Sequence, residues 1–475
     1  MSISALQLWV IIFYNKHQWY YSTELRVINT QIVYSLMFRV FNNWHQVRVI
    51  GNAVLYMCML ISAFYFSKGA KITNYFPYIG IFLLLPLSDI YFINVLVGGY
   101  YITHITFSFL IIGSILYYLQ LECVGYKVLI TILTFGLSVL AGLGGIRLPF
   151  VLFVPLTLVV LAIYIRDYVG KGRGLKATEV EKKKKLGLAV GISDIGALIG
   201  YIINSRILSQ HYSYKEFGDM KWKPISLDDL WGAVNGFLES WGYHTDVSFF
   251  SLFSVVNVLF FVIMGLIVWL CWKNRRNYLH LDFNSRIVIL YFIIAVAFYS
   301  LFRMVSGYGI DRHNLSIAAF LIPAFCCFMT NQRYENKNRV KVKILIGLVT
   351  LNAVICYIAY GTSNGNQEKL QLVDYLKYHS EYTQGYASFW NGNIMTELTN
   401  GKCQMWVWDD EKVDEEFEPF QWLQKKSHDL EEPDGKCFYL FSMEEYQSLP
   451  LAQEFNIEDA VYHTDQYVVF EGQNK

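Results

Sequence analysis

Apolar stretches long enough to cross a bilayer recur along most of the chain, at 49–66, 74–91, 103–120, 127–145, 147–166, 186–204, 249–271, 286–303, 313–330 and 342–360. A hydrocarbon core of roughly 30 Å takes about 20 helical residues, and each stretch approaches that length. An earlier apolar run, Ala5–Tyr14, is too short to span comfortably. After residue 360 the pattern changes: short apolar-aromatic runs, Met405–Trp408, Phe438–Phe441 and Tyr467–Phe470, alternate with acidic turns and predict strands. The pattern predicts an all-α polytopic membrane domain of 10 to 11 helices over 1–360, followed by a soluble α+β domain over 361–475.

Between the first run and the first full span, Val27, Ile28, Ile32, Val33, Leu36, Met37 and Val40 recur at helical spacing, with Arg26, Asn29, Arg39 and Asn42 among the polar positions. An amphipathic helix lying in the membrane interface fits this spacing, as does an ordinary connector helix.

Charge adds an orientation. The loops at 67–73, 121–126, 167–185, 272–285 and 331–341, with their borders, carry about twice the lysine and arginine of the opposite loops. The positive-inside rule makes them cytoplasmic, which places 15–48, the long loop 205–248 and the whole of 361–475 outside a plasma (inner) membrane crossed many times. Composition agrees: 54% of residues are hydrophobic and only 16% charged, which excludes a disordered chain. With 39 basic against 38 acidic residues, no basic excess exists to read phosphates along a nucleic acid. No CxxC or Cys/His cluster occurs, so a structural metal site is not expected. Cys403 and Cys437 follow similar Gly-Lys turns in the outer domain, either bridged by a disulfide or left as two unpaired strand cysteines.

Polar groups at the outer ends of spans are the candidates for chemistry. Asp89 closes one span in Pro86-Leu-Ser-Asp, and Tyr100, Tyr101 and His104 open the next. Arg147 sits in the glycine-rich turn Gly142-Leu-Gly-Gly-Ile-Arg, where backbone N–H groups beside a guanidinium suit a phosphate. Arg303 ends a span, and Asp311-Arg312-His313 opens the next, an arrangement that suits an anion. Asp194 lies inside a span, as a functional acid or a polar helix contact. Asp228, Asp229, Trp231, Trp241 and His244 occupy the long outer loop.

In this order these features resemble the GT-C superfamily of membrane glycosyltransferases, together with Gly385-Tyr-Ala-Ser-Phe-Trp-Asn-Gly-Asn393 in the outer domain. The resemblance implies transfer of a sugar from a polyprenyl-phosphate donor to an envelope polysaccharide, lipid or protein acceptor on the outer face of the membrane. Such chemistry needs a base for the acceptor hydroxyl, cations for the departing phosphate and an apolar groove for the lipid tail. In the family the acid lies in the first outer loop; here that loop offers only Glu24, so the expected base is Glu24, or Asp89, or an acid in an N-terminal segment missing from this sequence. The resemblance assigns the donor phosphate to Arg303, Arg312, His313 and Arg147, and sugar or acceptor contacts to Tyr100, Tyr101, His104, Tyr386 and Trp390. Some members use a divalent metal with paired acids; this chain has no external Asp-x-Asp, and a metal-independent inverting transfer without a cofactor is expected. A polysaccharide polymerase or ligase, a lipid-linked sugar transporter or flippase, and an inactive scaffold are the rivals. Against transport, the spans show no internal repeat and the charges gather at one membrane face.

Overall fold

The computed structural model describes residues 18–21, 25–86, 88–169, 177–214, 224–245, 247–306, 311–330, 332–362, 367–409 and 418–473. Ala5–Tyr14 and Glu24 lie outside these. Among the described residues eight helices are long and apolar enough to cross a membrane. A short helix, α1 (Gln31–Phe38), precedes them. The long helices are α2 (Trp44–Gly69), α6 (Val124–Leu143), α7 (Pro149–Arg166), α8 (Thr178–His211), α10 (Leu252–Lys273), α11 (Phe283–Ser306), α12 (Arg312–Met329) and α13 (Val340–Tyr360). Between α2 and α6 lie a bent pair, α3 (Thr73–Leu84) and α4 (Asp89–Val97), and the shorter α5 (Ile102–Tyr118). The amphipathic α9 (Leu227–Trp241) lies between α8 and α10. Helix α12 is the central one, with 94% of its apolar window buried against neighbours, whereas α6 and α10 turn most of theirs outward. This is the architecture of a multi-pass helical membrane protein.

Two elements depart from the hydrophobic pattern, each for a local reason. The expected span 74–91 bends by 89° between α3 and α4. Pro86 has no N–H to continue the first helix, and the Ser88 side chain accepts a hydrogen bond from the Tyr91 N–H, starting a new one. A helix broken at membrane depth needs partners for its orphan carbonyls. The Tyr91 hydroxyl donates to the Leu83 carbonyl at 2.6 Å and the Tyr357 hydroxyl to that of Leu84 at 3.3 Å. At the far end of α4, Asn52 donates to the Val97 carbonyl at 3.0 Å, and the Tyr56 hydroxyl donates to that of Leu96. The turn into α5 then uses Gly99 at φ +67, where a Cβ would come within 2.8 Å of the Tyr34 hydroxyl. The second departure is the amphipathic segment, which is helical only over α1. The Asn29 side chain accepts from the Gln31 N–H and donates to the Arg26 carbonyl, closing a turn ahead of the helix.

Beyond α13, α14 (Gln367–Tyr378) leads into a five-stranded sheet of order β4-β3-β5-β7-β6. Its strands are β3 (Gln384–Ser388), β4 (Gln404–Trp408), β5 (Lys436–Ser442), β6 (Tyr462–His463) and β7 (Tyr467–Gln473). The three expected strand segments fall on β4, β5 and β7. β3 pairs in parallel with both β4 and β5, and α15 (Phe389–Leu398) makes the β3–β4 crossover, so this half is α/β in character. β7 closes antiparallel on β5. Because β3 lies between them, Cys403 and Cys437 sit two strand spacings apart, about 9–10 Å against a disulfide limit near 7 Å. Neither is in a disulfide and both are buried, and the Cys403 thiol donates to the Tyr382 carbonyl at 2.9 Å.

The sheet domain is tied to one end of the bundle by side chains from distant parts of the chain. Two short strands, β1 (Tyr20–Tyr21) and β2 (Ser213–Tyr214), pair in parallel. The Tyr20 N–H donates to the Gln424 carbonyl, and its hydroxyl to Asp429 at 2.5 Å. Trp19, Tyr21, Leu25, Phe389, Val407, Phe420 and Leu423 form one apolar cluster. Arg48 on α2 meets Glu397 on α15 in a forked ion pair at 2.7 and 3.0 Å. Residues 18–21, 25–48 and 205–214 and the sheet domain thus share one end of the molecule.

Candidate functional site

That end holds two groups of polar side chains on either side of one turn of 3-10 helix, Asp311–Asn314. The first is built on α4. Asp89 is the first residue of that helix, and its carboxylate lies 3.3 Å from His244 Nδ1. His244 follows α9 and is fixed through its backbone by Asn257 of α10, which accepts from the His244 N–H and donates to its carbonyl, both at 2.8 Å. Phe253 lies 4.6 Å from the imidazole, and the Tyr360 hydroxyl of α13 approaches the Asp89 carboxylate. His244 is 3% exposed and Asp89 58%, so the acid faces open space and the imidazole backs it. A carboxylate held by a neighbour yet open on one side is placed to accept a proton.

The second group is cationic. Arg26, Arg147 and Arg312 converge on two buried imidazoles: His104 is within electrostatic reach of Arg26 and Arg147, and His313 of all three. The Arg147 guanidinium donates to the Tyr101 hydroxyl at 3.3 Å, and the Tyr101 ring lies 5.1 Å from His104 and 6.3 Å from His313. Beside them lies a small, half-open cleft lined by Arg26, Asn29, Gln31, Tyr100, Thr103 and His104, with Phe107, Leu140 and Leu148 on its apolar wall. Of the three arginines Arg26 lines this cleft, and guanidinium groups gathered near a polar wall that faces an apolar one suit a phosphate carrying an apolar tail. The turn 311–314 carries Arg312 and His313 and packs against α4 and α9, which bring in Asp89 and lead to His244. The acid and the cationic group thus sit on adjoining elements.

Of the residues singled out in the sequence, Asp89, Tyr101, His104, Arg147, Arg312 and His313 come together here. Tyr100 divides from its neighbour, lining the cleft while contacting Arg48. Arg303 turns to α9, its guanidinium 3.8 Å from the Cβ position of Gly232. Tyr386 stacks on Tyr439 within the sheet at 5.0 Å. Trp390, 58% exposed, lies two turns before Glu397 on the same face of α15. Asp229 closes a capping box with Ser226 at the start of α9, and Asp194 accepts from Thr157 at 2.6 Å in the α7–α8 contact, so local structure accounts for both. Arg26, Asn257 and Tyr360 were not anticipated. Arg26 had a visible signal, an arginine on the polar side of the amphipathic segment; Asn257 and Tyr360 sit in apolar spans with none. Among the described residues no group of three or more His, Cys, Asp or Glu side chains could hold a metal ion. No family model matches the chain, and no curated protein matches it.

Proposed function

We propose that the protein is a membrane glycosyltransferase that moves a sugar from a polyprenyl-phosphate donor to a cell-envelope acceptor at the outer face of the membrane. The observation that carries this reading is an open carboxylate, Asp89, on a helix that packs against the turn bearing Arg312 and His313, around which Arg26 and Arg147 also gather, at one end of a membrane bundle. Asp89 takes the proton of the acceptor hydroxyl as that oxygen attacks the anomeric carbon. The bond from that carbon to the phosphate oxygen breaks, and polyprenyl phosphate departs with the electron pair. Arg147, Arg312 and Arg26 stabilise the departing charge, an electrostatic contribution that removal of one donor commonly reduces by about 10²–10³ in rate. His244 and Tyr360 orient the acid. Trp390 and the Tyr100 side of the cleft are the sugar and acceptor contacts. No step calls on a metal.

The test is donor turnover by the full chain in liposomes, with a panel of radiolabelled polyprenyl-phosphate sugars and lipid or oligosaccharide acceptors. Transfer of label supports the reading. Donor that crosses the bilayer without cleavage makes the protein a lipid transporter, and donor that is neither bound nor consumed removes the transferase reading.

A further inference from the structure

At the opposite end of the bundle a different feature stands apart from this chemistry. Lys273, at the end of α10, and Lys341, at the start of α13, place their ammonium groups over the same indole, Trp269, each 4.8 Å from its ring centroid. One turn away the Arg275 guanidinium covers Trp272 at 4.6 Å. The indoles are 44% and 68% exposed, and Val268, Val340 and Ile344 are exposed beside them. Lysines at a membrane end ordinarily extend separately toward water. Here two of them, from adjacent helices, share one ring at the level of exposed aliphatic side chains, where a shared anion would offset their like charge.

We propose that this cluster binds the headgroup of an anionic phospholipid, with the phosphodiester between Lys273 and Lys341, Arg275 as an outer contact, and the acyl chains along Val268 and Ile344. The charge selects the headgroup and the exposed aliphatic strip selects a lipid over a free phosphate. It does not depend on the glycosyltransferase reading.

Native mass spectrometry of the full chain tests this after exchange into nanodiscs of phosphatidylcholine doped with phosphatidylglycerol. Wild type retains phosphatidylglycerol over phosphatidylcholine. Replacing Lys273 or Lys341 with alanine lowers retention about fivefold each, from the worth of one basic side chain at an anionic surface. Lys184→Ala, which removes the same single charge from α8, leaves it unchanged. Lys273→Arg with Lys341→Arg keeps both charges and retains the lipid, which separates loss of charge from loss of fold. Equal retention of the two lipids by wild type, or an equal loss in the α8 variant, overturns the proposal, as does displacement of the lipid by inorganic phosphate alone.

Discussion

At the scale of single residues, Asp89 and the arginines have separable roles. Asp89→Asn keeps the shape and its contact with His244 but removes the base, and lowers the turnover number by about 10²–10⁴ with donor binding intact. Arg147→Ala and Arg312→Ala instead weaken binding of polyprenyl phosphate, measured by retention of the lipid in detergent. His428 in the sheet domain gives a pH prediction. Its ring stacks on Trp406 at 4.1 Å, and burial, then Lys425, hold its pKa down to about 4 from the ordinary 6.5. The unfolded chain therefore takes up a proton first as pH falls. Stability contributed above pH 6.5 is lost progressively down to about pH 4. The wild-type melting temperature should drop more between pH 7 and 4.5 than that of His428→Gln; equal drops contradict the assignment.

Individual side chains were partly legible in the sequence. Asp89, His104, Arg147 and Arg312 stood out because a charged or ionisable group at a span end is rare and carries its own signal. Their partners did not: Asp89 and His244 are 155 positions apart, and nothing local joins them. The direction of Arg303 was not legible for the same reason, since its position at a span end says nothing about which way the helix turns it.

At the scale of elements, the spans were legible because composition alone decides them. The α3–α4 bend was written in Pro86 and Ser88, but a hydropathy window averages across both. The bend brings Asp89 in from the end of a straight span and is held by side-chain donors to helix-end carbonyls. Tyr91→Phe leaves the Leu83 carbonyl without its donor at 2.6 Å and should cost about 1–3 kcal/mol, seen as a lower melting temperature in detergent. An unchanged melting temperature would show that the bend does not need this bond. In the sheet domain the strand segments were legible, while the parallel order that separates Cys403 from Cys437 depends on pairings no local pattern carries.

At the scale of the whole molecule, the sheet domain is fastened over the membrane end that holds the candidate site. Arg48 and Glu397 are only 21% and 16% exposed, so their ion pair is screened less than a surface pair. The same arginine contacts Tyr100 at the cleft and reaches the Val97 carbonyl at the end of α4. Arg48→Ala and Glu397→Ala should each destabilise the protein, and the double variant should lose less than their sum by about 1–3 kcal/mol. Additive losses would mean that the two side chains do not act together.

The most direct measurement of the central claim is single-turnover transfer from a radiolabelled polyprenyl-phosphate sugar, comparing wild type, Asp89→Asn and Glu24→Gln in the same liposomes. Transfer by wild type and Glu24→Gln, with label bound but not moved by Asp89→Asn, is the predicted result. Full transfer by Asp89→Asn would contradict the account, because the base would then lie elsewhere.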